Sequence, residues 1–78
     1  MQQIRLYTRP YCSWCVDAKQ YLEQRGLKYE EVDVSRDPAA LEEMIRISGQ
    51  RFVPTIVVNG RVLANFSVDD LEKFLNES

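Results

Sequence analysis

Two cysteines carry the most nucleophilic side chains of this 78-residue sequence, and they stand three positions apart in Cys12-Ser13-Trp14-Cys15. The sequence contains no histidine, so the chemistry of these thiols must proceed without a histidine base. A Cys-x-x-Cys pair that follows a strand and opens a helix is typical of thiol–disulfide exchange. We therefore predict that Cys12 attacks a substrate disulfide and that Cys15 resolves the mixed disulfide.

The start of a helix near Ser13 gives the physical reason for these two roles. Unpaired backbone N–H groups and the positive end of the helix dipole lie at a helix N-terminus. Both stabilise a thiolate, so Cys12 is expected to be the activated nucleophile. Cys15 lies on the same side of the first turn, close enough to form a disulfide but more buried and less activated.

Two other interpretations of the cysteine pair are weaker. A structural disulfide across two residues closes a small loop and removes little chain entropy. A zinc site needs about four protein ligands, or three and a water, and two cysteines without histidine do not supply them in one chain unless carboxylates contribute. We predict no metal site within one chain. A metal bound between two chains remains an alternative.

The composition favours one soluble domain over residues 1–78. Hydrophobic residues make up 45% and charged residues 28% of the sequence, which is too apolar for a disordered chain. The net charge of −2 implies neither a nucleic-acid-binding surface nor a polybasic membrane patch. No run approaches the roughly 18 apolar residues of a membrane span. We expect a cytoplasmic protein with no nucleic-acid or membrane partner.

Strand and helix signals alternate along the chain. Strands are predicted at 3–8, 28–34, 53–58 and 61–63, and helices at 13–25, from Asp37 to Gly49 and from Ser67 onward. Asn59-Gly60 is the preferred two-residue hairpin turn, and Ser67 with Asp70 resembles a capping box.

The predicted order is therefore βαβαββα. A helical crossover makes the first two strands parallel, and the last two form an antiparallel hairpin. The result is an α/β fold of thioredoxin type, with a four-stranded mixed sheet flanked by helices.

Three residues near the cysteines each allow two interpretations. Arg9 either stabilises the Cys12 thiolate or binds an anionic substrate group, or it is a solvated loop cation. Trp14 is an exposed contact for partners, or it covers part of the sheet. Pro54 is an edge-strand proline, or a cis proline that leaves the Val53 backbone free to pair with an extended substrate.

The motifs at these positions resemble those of glutaredoxins over essentially the whole chain. Two segments are similar to the family's two signatures. The first is Leu6-Tyr7-Thr8-Arg9-Pro10-Tyr11-Cys12-Ser13-Trp14-Cys15, with Ala18-Lys19 and Arg25-Gly26. The second is Ser48-Gly49-Gln50-Arg51-Phe52-Val53-Pro54. The resemblance implies a cis Pro54 and a Val53 backbone that binds the substrate. The implied substrate-binding residues are Arg9, Tyr11, Trp14, Phe52, Val53, Pro54, Phe66 and Asp69.

Departures from the glutaredoxin pattern concern the recognition of glutathione. Ser13-Trp14 replaces the usual Pro-Tyr, and the segment 63–69 lacks the family's double glycine. Leu41 stands where the family often has a basic or amide residue. We therefore expect weak coupling to glutathione, which remains a possible co-substrate.

The C-terminal part is also similar to the glutaredoxin-like redoxins that donate electrons to ribonucleotide reductase. Phe66 and Asp69 fit that pattern, although the tryptophan and glycine that usually lead into it are missing. Such redoxins are recharged by a thioredoxin-reductase-like flavoprotein. The resemblance thus implies a monomeric dithiol oxidoreductase that reduces protein or glutathione mixed disulfides, or an electron donor to ribonucleotide reductase.

A serine after the first cysteine gives a third alternative. Some glutaredoxins with this serine bind a [2Fe–2S] cluster between two monomers, with glutathione as co-ligand. Cys12 would then be the protein ligand, because cysteine thiolates hold such clusters. We expect no tightly bound cofactor, so this alternative ranks below the redox interpretation.

Overall fold

A computed structural model describes residues 3–77 of the chain and contains seven elements. In chain order they are β1 (Ile4–Thr8), α1 (Ser13–Gln24), β2 (Glu30–Asp33), α2 (Pro38–Ser48), β3 (Thr55–Val58), β4 (Arg61–Ala64) and α3 (Val68–Asn76). The predicted order βαβαββα is confirmed over this range. The prediction of one domain over 1–78 also includes residues 1, 2 and 78, which lie outside the described part.

The four strands form one mixed sheet in the order β2-β1-β3-β4. As predicted, β1 pairs with β2 in parallel and β3 pairs with β4 antiparallel. The pair β1–β3, for which the sequence led to no prediction, is antiparallel. In register, Tyr7 of β1 lies between Val32 of β2 and Thr55 of β3. The end of β1 and the start of β3 therefore lie side by side, and so do the loops that follow and precede them.

Two strands are shorter than the sequence suggests, because the ladder with β1 limits them. β2 was expected over 28–34, but pairing starts only at Glu30, opposite Arg5. Val34 lies beyond β2 and still donates its N–H to the carbonyl oxygen of Thr8 at 3.0 Å. β3 was expected from Val53, but it begins at Thr55, where pairing with β1 begins.

Helices pack on both faces of the sheet, which confirms the layered arrangement. One face carries the larger core with α1 and α3, and the other carries a smaller core with α2. The larger core contains Ile4, Leu6, Ala18, Leu22, Ile56, Val58, Phe66, Leu71 and Phe74. The smaller core contains Tyr7, Val34 and Met44.

Local signals define the helix ends and the hairpin as predicted. The Asp37 side chain caps α2 by accepting N–H groups of the first turn. Ser67 and Asp70 form the capping box of α3. Asn59 and Gly60 have φ values of 50° and 87°, which suits the turn between β3 and β4 because both positions need positive φ. No helix within residues 3–77 has the length and apolarity that crossing a membrane requires.

Candidate active site

Cys12 is the N-cap residue of α1, at the end of the loop that follows β1. Its backbone is extended, with φ −104° and ψ 106°. The sulfur accepts the backbone N–H of Cys15 at 3.2 Å, as the side-chain oxygen of an ordinary N-cap residue does. The side chain remains partly exposed. A partly exposed sulfur at the start of a helix, fixed by a backbone N–H, can be reached by a substrate disulfide.

Cys15 lies on the inner side of the same turn and has only 2% of its surface exposed. Burial, followed by the hydrogen bond with the Cys12 sulfur, raises the pKa of the Cys15 thiol to about 12. Cys15 is thus held as a neutral thiol against the sulfur of its neighbour. Both cysteines are free, and their contrast in exposure suits an attacking thiol and a resolving thiol.

Two exposed aromatic side chains flank Cys12 in the chain, and a third lies in the loop before the cis proline. Tyr11 is fully exposed and has a positive φ of 61°, which is uncommon for a residue other than glycine. Trp14 is 49% exposed and Phe52 is 61% exposed. About half of the Trp14 surface is thus available to a partner. Apolar surface left in water beside a reactive thiol is a feature of partner-binding sites.

The peptide bond between Val53 and Pro54 is cis, as the resemblance implies. The Pro54 carbonyl accepts the N–H of Asn65 at 2.8 Å, which joins this loop to the β4–α3 junction. Within residues 3–77, the N–H and C=O of Val53 have no hydrogen-bond partner. These groups are available to an extended peptide, which would bind to them as an added strand does.

Gln50 braces the loop before the cis proline, a role that the sequence did not suggest to us. Its side-chain NH₂ donates to the Ser48 hydroxyl at 3.1 Å, the Phe52 carbonyl at 3.2 Å and the Thr55 hydroxyl at 3.1 Å. Its Oε1 accepts the Phe52 N–H at 2.6 Å. The available signal was polar residues at 48 and 50 between a helix and a buried proline, which is too common to identify such a network.

Arg9 connects the two loops of the site. Its Nη2 donates to the Arg51 carbonyl oxygen at 3.4 Å. Its charge also acts on Asp33, whose pKa is lowered chiefly by the Ser35 hydroxyl. Arg9 is therefore not simply a solvated cation, since its guanidinium contacts the loop that carries Phe52 and Val53.

The two C-terminal site predictions have different outcomes. Asp69 lies in the first turn of α3 and is exposed, so it stays a predicted contact. Phe66 is 1% exposed and packs in the larger core with Leu71 and Phe74. The prediction that Phe66 contacts the substrate is wrong, because its ring is enclosed between the sheet and the helices.

No cluster of three or more histidine, cysteine, aspartate or glutamate side chains suited to a metal ion occurs in the described residues 3–77. Cys12 is the accessible thiol of the pair, since Cys15 is buried. A cluster bridged between two copies would accordingly draw its thiolate from Cys12.

The family model for glutaredoxin matches residues 4–63. The chain belongs to the glutaredoxin family. A relative in Clostridium pasteurianum, a glutaredoxin-like 8.6 kDa protein in the rubredoxin operon, is 31% identical over 74 residues, which cover 95% of this chain and 99% of that one. Glutaredoxins are thiol–disulfide oxidoreductases, so this general activity follows from the family.

Solved structures confirm the thioredoxin-like fold of this glutaredoxin. The thioredoxin-like protein BC3987 superposes with a TM-score of 0.83 at 36% identity, covering 90% of this chain and 96% of that one. The glutaredoxin-like protein NrdH-redoxin from Escherichia coli has a TM-score of 0.77 at 31% identity, covering 91% and 92%. NrdH-redoxin has a thioredoxin-like activity profile.

Proposed function

We propose that this glutaredoxin reduces disulfides of protein substrates and is recharged by a thioredoxin-reductase-like flavoprotein rather than by glutathione. The observation that carries the proposal is the position of Cys12. Its sulfur is partly exposed and capped by a backbone N–H, and the exposed Tyr11 and Trp14 flank it in the chain. Arg9 of the same loop contacts the loop that carries the unpaired Val53 peptide groups.

The reaction has two steps in which atoms and electrons balance. The Cys12 thiolate attacks one sulfur of the substrate disulfide, so that a mixed disulfide forms and the other substrate sulfur leaves as a thiolate. Cys15 then loses its proton to solvent and attacks the Cys12 sulfur. The Cys12–Cys15 disulfide forms, the second substrate sulfur leaves and takes up a proton, and two electrons have passed to the substrate.

The surroundings of Cys12 favour a polypeptide over a small disulfide as substrate. An extended segment would pair with the N–H and C=O of Val53, while the rings of Tyr11, Trp14 and Phe52 supply apolar contact area. Aromatic side chains supply large contact areas at protein interfaces. A small disulfide would leave most of these rings in water.

The chain lacks side chains that would bind glutathione well. Leu41 packs against the smaller core and offers no charge to a glutathione carboxylate. NrdH-redoxin, which is 31% identical over almost the whole chain, is described as thioredoxin-like in activity, and this supports the same class of reductant here.

A side-by-side assay with a protein disulfide as substrate tests the proposal. NADPH consumption is measured with thioredoxin reductase in one series and with glutathione plus glutathione reductase in the other. We expect faster turnover with thioredoxin reductase, and no turnover with Cys12→Ser. Faster turnover with glutathione would refute the assigned reductant, and no reduction in either series would refute the function.

The aromatic surface is tested by a pair of variants with a matched control. Tyr11→Ser and Phe52→Ser are expected to raise KM for a protein disulfide several-fold and to leave the reduction of a small disulfide unchanged. Ile47→Ser is the control, because Ile47 is an exposed apolar residue of α2 outside the active-site loops. Equal effects of all three substitutions would contradict the assigned surface.

A further inference from the structure

A polar cluster, consisting of Thr8, Lys19 and Glu31, lies between α1 and the sheet. The Thr8 hydroxyl donates to Oε2 of Glu31 at 3.0 Å, and the Lys19 ammonium binds the same oxygen at 3.2 Å. Thr8 is buried, and the side chain of Lys19 is only 30% exposed. The carboxylate that binds the Lys19 ammonium is therefore itself fixed by a buried hydroxyl, which limits the mobility of both charged side chains.

The register of the sheet explains why these three residues meet. Glu31 lies opposite Leu6 in the parallel pair of β1 and β2, so both side chains point to the same face. Thr8 lies two residues after Leu6 on that face, because side chains alternate along a strand. This is the face that α1 covers with Leu22 and Ala18.

The charge of this polar cluster acts on Cys15 of α1. Lys19 follows Cys15 by four positions, and such residues lie one above the other on a helix. The charge of Lys19 lowers the pKa of the Cys15 thiol, in opposition to the larger rise that burial causes. In turn, the pKa of Lys19 is raised chiefly by its hydrogen bond to Glu31, and Cys15 adds to the rise.

We propose that the Lys19 ammonium, held in place by Glu31 and Thr8, promotes the resolving step by stabilising the Cys15 thiolate. The proposal rests on the two-step reaction described above. Cys15 releases its proton to solvent, its thiolate attacks the Cys12 sulfur of the mixed disulfide, and the bond from Cys12 to the substrate breaks. Lys19 gains and loses no atom or electron, and its charge acts while the negative charge resides on Cys15.

The size of the effect follows from the two opposing consequences of a higher thiol pKa. A rise of about one unit lowers the thiolate fraction about tenfold but increases the nucleophilicity of each thiolate, with a Brønsted coefficient of about 0.4–0.5. The net loss of rate is about three- to fourfold per unit. We expect Lys19→Gln to slow resolution by about two- to fourfold, since solvent screening limits the effect of one partly exposed charge to about one unit at most.

Single-turnover kinetics with dithiobis(nitrobenzoate) separates the two steps. Attack by Cys12 releases the first thionitrobenzoate at a rate that depends on reagent concentration. Resolution by Cys15 releases the second at a rate that does not depend on it. In Lys19→Gln only the second phase should slow, and Lys19→Arg should restore it by keeping the positive charge. Lys28→Gln, which removes an exposed lysine outside the cluster, is the control.

Three outcomes would overturn the role of Lys19. They are an unchanged second phase in Lys19→Gln, an equal slowing of both phases, and a failure of Lys19→Arg to restore the rate. Failure of the proposed function gives a different result from failure of the role of Lys19. A wild-type protein with both phases that does not reduce protein disulfides would refute the substrate class while leaving the measurement on Lys19 valid.

Discussion

Replacing Gln50 by alanine is expected to loosen the loop between α2 and β3 and to weaken substrate binding. The amide joins three parts of this loop, because it donates to Ser48, Phe52 and Thr55 and accepts the Phe52 N–H. The alanine variant loses all of these contacts. The Thr55 hydroxyl keeps its own hydrogen bond to the Phe52 carbonyl, so the loop retains part of its order.

The expected loss of unfolding free energy follows from the number of hydrogen bonds that the Gln50 side chain can make at one time. An amide NH₂ has two protons for three acceptors within 3.2 Å, and its oxygen accepts one N–H. Each hydrogen bond contributes about 1 kcal/mol net. Because Phe52 is exposed, water replaces part of the lost hydrogen bonding, so the expected loss of unfolding free energy is about 2 kcal/mol. For a domain of this size, that lowers Tm by about 8–16 °C.

Chemical denaturation of the reduced protein measures this free energy of unfolding. Gln50→Glu keeps an acceptor for the Phe52 N–H but turns a carboxylate oxygen toward the Phe52 carbonyl oxygen, so its loss should be at least as large as that of Gln50→Ala. Gln24→Ala at the end of α1 is the matched control, since Gln24 is exposed and makes no side-chain hydrogen bond within residues 3–77. In the redox assay, Gln50→Ala should raise KM for a protein disulfide. A change in unfolding free energy below about 0.5 kcal/mol, as at an ordinary surface site, would refute the bracing role of Gln50.

Two further predictions concern buried groups. Phe66→Ala should destabilise the protein by about 3–5 kcal/mol, as truncation of a core phenylalanine does, whereas Phe52→Ala should change the unfolding free energy little; a small effect at Phe66 would contradict its burial. Burial raises the pKa of Cys15 to about 12 from 9.0, so above pH 9 the unfolded chain loses this proton before the folded protein does. The stability that the neutral thiol contributes is therefore complete below pH 9 and is lost as the pH rises toward 12. Denaturation of reduced wild type and Cys15→Ser at several alkaline pH values checks this, because the variant should decline less steeply.

Local signals explain why so much of the fold could be predicted from the sequence. Spacing of Ala18 and Leu22, the Asp37 cap and the Asn59-Gly60 turn are properties of neighbouring residues, and each appears in the structure as expected. The reactive pair is local too, since Cys12 and Cys15 belong to one helical turn. These features depend on chain geometry that no distant contact overrides.

Tertiary contacts explain what could not be predicted. Phe66 matches the family pattern of a site residue, but only its packing against α3 shows that it belongs to the core. The roles of Gln50 and Arg9 depend on backbone carbonyls of other loop residues, which a sequence pattern does not locate. The meeting of Lys19 with Glu31 depends on strand register, which the alternation of residues suggests only to within a position or two.

The burial of Cys15 imposes two opposed demands on the same thiol. Burial keeps Cys15 neutral and shielded, so Cys12 alone meets the substrate and the first attack has one outcome. The same burial disfavours the thiolate that Cys15 must become in order to release the product. A cation placed one helical turn away reconciles the two demands, because its charge favours the thiolate without exposing the sulfur to solvent.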